Sequence, residues 1–153
     1  MLIYSETYPP QSIAQDCFTN EIYKNFEKKL SELKPDWNHI PSIRQDIENI
    51  ALDLGFVMGF PVEKRMKIKG KYKNIGFNVQ LGNKAFLFQD LVKFQHLYNQ
   101  NIINEALYIC MSEYADKTSY SSSLVKFEKS VELVIVFKCI FNIPIYFISL
   151  MRE

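Results

Sequence analysis

The stretch VELVIVFKCIFNIPIYFISLM, residues 131–151, is what any fold of this chain must accommodate. Its apolar residues are too continuous to be left in water, so it belongs either in a protein core or in a membrane. Glu132, Lys138, Asn142 and Pro144 favour the core. A charge at a bilayer centre costs about 2.5–3.5 kcal/mol on insertion scales. The run divides at FNIP into a helix and a buried strand, with Pro144 tolerated among the strand's first residues.

The same reading extends upstream. Residues 11–33 space Ile13, Cys17, Ile22, Phe26, Leu30 and Leu33 at helical intervals, and Pro35 ends that helix. A second helix runs through PSIRQDIENIALDLG, with Ser42 and Gln45 as a capping box and Gly55 as its C-terminal stop. VEKRMKIKGKYKNIGFNVQLG holds two strand-like runs around a turn at KGKYKN. AFLFQDLVKFQHLYNQ is an amphipathic helix and EALYICMS a short strand. DKTSYSSS is a polar loop, LVKFEKSVELVIVFKCIF a helix and IPIYFISLM the last strand. The order α-α-β-β-α-β-α-β implies an α/β fold, a mixed sheet with helices on its faces. We expect one domain over 1–153, with helices at 11–54 and a core at 60–150.

Composition narrows the function classes. Cys17, Cys110 and Cys139 form no paired motif, and with only His39 and His96 no zinc set is available. MLIYSETYPP is no signal peptide, so reduced thiols in a cytoplasmic protein are the plain expectation. Net charge is +1, yet residues 62–74 carry six basic residues against Glu63 alone, a local +5 that leaves −4 elsewhere. Such a lysine row suits a phosphate backbone. It equally suits an edge strand blunted against aggregation.

Residues 75–83, IGFNVQLGN, raise a sharper point. Period-two alternation puts Phe77, Val79 and Leu81 on one face and two neutral amides, Asn78 and Gln80, on the other. Gly76 and Gly82 leave room for something to approach the backbone.

Ile75, Gly76, Val79, Gln80, Gly82, Ala85, Phe86, Asp90, Leu91, Lys93, Phe94, Tyr98 and Ile103, with the later VFKCIFNIPIYFI, form a pattern over roughly residues 60–150. That pattern resembles type II restriction endonucleases of the BglII/BstYI kind, in the PD-(D/E)XK nuclease superfamily. The resemblance implies a homodimer that clasps duplex DNA at a short palindrome, often containing GATC, and hydrolyses a phosphodiester with Mg²⁺. The family places an aspartate on its first strand, a glutamate nine residues later and a polar residue two further on. Mg²⁺ takes hard, negatively charged oxygens, activates a water and neutralises charge on the phosphate.

Carried over, these catalytic positions are Lys69, Asn78 and Gln80; only Gln80 fits. An amide and a cation replace two carboxylates, so the resemblance predicts poor metal binding and impaired cleavage. Remaining metal donors are the Asn78 amide oxygen and helix carboxylates: Glu48, Asp46 and Asp53 on the second helix, Asp90 on the third. Solvated helix faces explain such carboxylates more often, and Asp90 fits a structural or capping role. For DNA contact the resemblance and the charge point to Lys67, Lys71, Lys73 and Lys84, with Tyr114, Lys117, Thr118 and Tyr120 as base readers. Ser121, Ser122 and Ser123 read as loop, GKYKN lacks phosphate-loop spacing, and His96 reads as a packed or surface residue near a dimer contact. The competing class is a non-enzymatic protein-interaction domain with a lysine-protected edge.

Overall fold

The computed structural model describes residues 1–8, 17–112 and 126–152. Twelve elements follow one another among them: β1 (Leu2–Tyr8), α1 (Ile22–Glu32), α2 (Ile40–Asp53), β2 (Val57–Met58), β3 (Pro61–Glu63), β4 (Met66–Lys67), β5 (Gly70–Tyr72), β6 (Ile75–Gln80), α3 (Ala85–Asn99), β7 (Glu105–Met111), α4 (Phe127–Val136) and β8 (Ile145–Met151). The main sheet has the order β1-β8-β7-β6-β5-β2, and β3 pairs with β4 alone. β6, β7 and β8 run parallel; β5 pairs antiparallel with β6, β2 antiparallel with β5, and β1 antiparallel with β8. This is the expected mixed α/β sheet.

Helices cover both faces of the parallel trio. Phe77, Val79, Leu107, Ile109, Ile148 and Leu150 pack with α1 and α2. On the opposite face Ala106, Tyr108, Cys110, Ile145 and Phe147 pack with α3 and α4. These sets alternate along each strand, as the pleat demands. The amide face of β6 is therefore covered as well, and Asn78 is only 5% exposed. What approaches Gly76 is core: a Cβ there would lie 2.9 Å from Ile103 Cδ1 and 3.1 Å from Phe94 Cε1.

Several boundaries depart from expectation. β1 was not foreseen, because it is an edge strand with Leu2 and Tyr4 exposed; antiparallel pairing with β8 makes it a strand. The first helix begins at Ile22, whose N–H donates to Asn20 Oδ1 at 3.0 Å. Before it, Phe18 is held at φ +61° with its N–H donating to the buried Glu105 carboxylate at 2.7 Å. The Ile13 end of that expectation lies outside the described residues. α2 starts at Ile40 with Pro41 in its first turn, so no capping box forms; the Ser42 hydroxyl donates to the His39 carbonyl instead. Gly55, at φ +90°, is the expected stop.

The basic run is not one hairpin arm. The turn is tight at Lys73–Asn74, while Met66–Lys67 folds back on Pro61–Glu63. α4 ends at Val136, and Gln95 fixes the loop that follows: its Oε1 accepts the N–H groups of Asn142 and Ile143 at 2.9 and 3.1 Å. Gly76→Val should lower unfolding free energy by about 1–3 kcal/mol through overpacking, measured by urea denaturation. An unchanged midpoint would show that Phe94 and Ile103 give way freely.

Candidate nucleic-acid interface

Along α2, Ile43, Ile47 and Ile50 form the buried stripe. Arg44 and Glu48 each follow a stripe residue by one, about 100° round the helix, so both stand at the margin of the packed face. From the opposite face of the sheet α3 brings Phe86, Gln89, Asp90 and Lys93. The β5–β6 pairing matches Gly70 with Phe77, and one step before it Lys69 comes level with Asn78. These side chains, with Lys67, Gln80, Met58 and Gly59, line a cleft of about 550 Å³.

Two ion pairs organise it. Lys69 Nζ donates to Glu48 Oε1 at 2.7 Å. Lys93 Nζ lies 3.3 Å from Asp90 Oδ1. Asp90 is buried and also accepts Gln80 Nε2 at 3.4 Å and the Tyr108 hydroxyl at 3.5 Å. Burial raises its carboxyl above the usual carboxylate range, against the lowering influence of Lys93, Gln80 and Asn78. Gln80 Oε1 turns the other way and accepts the Gly82 N–H at 3.2 Å. Four cations, Arg44, Lys67, Lys69 and Lys93, face two carboxylates, a net +2.

Lys67, Lys69, Asn78, Gln80 and Glu48, all marked from the sequence, thus meet in one cleft. Lys71 and Lys73 are not among its lining: the Lys71 ammonium donates to the Lys73 carbonyl and sits 5.4 Å from the Phe60 ring centre. Lys84 stands just before α3, also outside the lining. Asp53 is exposed, 3.9 Å from Lys29, and Asp46 does not line the cleft. His96 lies 3.6 Å from Glu63 on β3. Tyr114, Lys117, Thr118, Tyr120 and Ser121–Ser123 lie outside the described residues. The sequence reading missed Arg44 and Gln89 and named Asp90 as a metal donor with a structural or capping role preferred; for Arg44 the available signal was its place beside Ile43, four residues before Glu48.

The donor set does not fit Mg²⁺. Among the described residues no group of three or more His, Cys, Asp or Glu side chains is placed to hold a metal. Glu48 is paired with Lys69 and Asp90 with Lys93, so neither cleft carboxylate is left to hold a divalent cation.

The topology and the position of the cleft define a restriction-endonuclease fold. The chain superposes over 100% of its length on 79% of a BglII chain in the crystal structure of restriction endonuclease BglII complexed with a DNA 16-mer, with a TM-score of 0.81 and 16% identity. On free BglII the TM-score is 0.75 at 17% identity, covering 100% of this chain and 81% of that one. The model of the restriction endonuclease BglII/BglIII family matches residues 10–150, and the chain belongs to that family. A comparison with curated protein sequences finds no significant match.

Because the folded pKa of Asp90 is raised, its contribution to stability is complete below the unfolded value and is lost as pH rises through the folded one. Wild type should therefore gain stability relative to Asp90→Asn as pH falls from neutral into the acid range, measured by urea unfolding at stepped pH. The opposite slope would refute it.

Proposed function

We propose that the chain binds duplex DNA in a sequence-specific manner as a homodimer, and that its cleavage of the phosphodiester is impaired or lost. The observation that carries this is the basic cleft on a BglII-family fold, with Lys69 and Asn78 where the family resemblance expects acids. A net positive, half-open cleft attracts a phosphate backbone and releases counterions. Gln80 keeps its place and chemistry, but a metal would meet an ammonium and an amide.

Exposed apolar residues on α3 and around the end of α4 support the second copy. Phe88 packs edge-on to Phe137 and Phe141, and Val92, Val136 and Ile140 extend the patch. A two-fold dimer reads a palindrome, and the resemblance suggests one containing GATC. No helix among the described residues is long and apolar enough to cross a membrane. The edge-protection reading does not extend to Lys71, since β5 lies between β6 and β2; it applies to Lys67, on β4 of the two-stranded β3–β4 sheet.

Fluorescence anisotropy with labelled duplexes at stepped salt concentration tests the reading. Affinity should fall steeply with salt. Lys67→Ala should weaken all sequences alike and reduce the logarithmic salt slope by about one, whereas Lys73→Ala should do less. Unchanged affinity in Lys67→Ala would remove this cleft from the interface. Restoring carboxylates, Lys69→Asp with Asn78→Glu, should raise Mg²⁺ affinity in calorimetric titration. If the double variant binds no more metal than the parent, the assignment of the family's catalytic positions is wrong.

A further inference from the structure

We infer that Arg44 and Lys69 form a metal-free seat for one DNA phosphodiester, and that Glu48 occupies that seat in the free protein as the chain's own substitute for the phosphate. This rests on the duplex-binding reading above and names the groups that would carry it.

Three observations converge. Arg44 Nε is buried and has no hydrogen-bond partner among the described residues, and its guanidinium makes no ion pair among them. Arg44 lines the cleft, and the planar fork of a guanidinium matches a phosphate's oxygens. The head lies beside Gly82, where an added Cβ would come within 3.3 Å of both Arg44 Nη2 and Gln80 Oε1. A side chain at position 82 would crowd that position.

The second observation is Glu48. It stands one turn after Arg44 yet bonds Lys69 across the cleft at 2.7 Å. A carboxylate oxygen and a phosphate oxygen present the same acceptor to an ammonium. The Lys69 side chain is 38% exposed, so a phosphate can reach it from solvent. The third is charge. With Lys93 already committed to Asp90, the cations open to exchange are Arg44, Lys67 and Lys69. A phosphodiester entering the cleft takes Lys69 from Glu48 and supplies the acceptor that Arg44 lacks. The protein then holds the backbone with fixed cations in place of a divalent ion.

The test is binding of a labelled random-sequence duplex in EDTA, with inorganic phosphate at equal ionic strength as competitor. Arg44→Gln and Lys69→Gln should each weaken binding about tenfold, more than Lys73→Gln, which removes an equal charge outside the cleft. Glu48→Gln should tighten it about threefold, a gain that misfolding cannot produce. Glu48→Asp keeps the charge but withdraws the carboxylate by one methylene, and should also tighten binding. Added Mg²⁺ should not increase affinity.

Equal losses in Arg44→Gln and Lys73→Gln would overturn the seat while leaving duplex binding intact. No gain in either Glu48 variant would overturn the substitution by Glu48. Wild type that binds no duplex would sink the function proposed above. If inorganic phosphate alone then bound through Arg44, the cleft would be a free-anion site and the DNA assignment would fall.

Discussion

The structure depends on three parallel strands, β6, β7 and β8, that are buried on both faces. Parallel pairing requires crossovers, and α3 and α4 supply them on one side of the sheet. The other side stays wet unless something else covers it, and that is the work of α1 and α2, which precede the parallel strands in the chain. The N-terminal helices are thus half of the enclosure. Because both covering layers reach the end of β6, one cleft receives side chains from α2, β6 and α3 together.

Double-sided burial also explains the neutral amides. Asn78 and Gln80 face the layer that contains Asp90, a buried carboxylate already held by Lys93 and Tyr108. A glutamate at position 78 would set a second negative charge beside it, which a buried site tolerates only with a compensating cation. In a metal enzyme the ion supplies that compensation. Here an uncharged amide stands at 78, and Lys93, Gln80 and Tyr108 leave Asp90 satisfied without one. The cleft is therefore self-consistent as a folded site: Lys93 meets Asp90, Lys69 meets Glu48, and the amides at 78 and 80 add no further charge.

Much of this was legible. The division of the apolar C-terminal run at FNIP, the amphipathic third helix and the alternation of β6 all follow from local periodicity, and all three are found. The pattern from Ile75 to Ile103 was specific enough to carry the family. Elements stabilised by distant partners were not legible. β1 has three of its seven residues exposed and none buried, and becomes a strand only against β8, more than a hundred residues away. The first helix was read too long because the hold of Glu105 on Phe18 is a tertiary contact and the local Asn20–Ile22 bond went unread, and the Ser42 capping box lost to a start at Ile40.

The sequence by itself determined the family and the face on which Asn78 and Gln80 lie. These are matters of residue identity and short-range period. Only the tertiary structure decided that the amide face is buried, that Lys71 and Lys73 turn away from the cleft, and that Lys69 meets Glu48. The last contact joins residues 21 positions apart on different elements. It exists because packing the Ile43–Ile47–Ile50 stripe against the sheet leaves the margin of α2, and with it Arg44 and Glu48, at the mouth of the cleft.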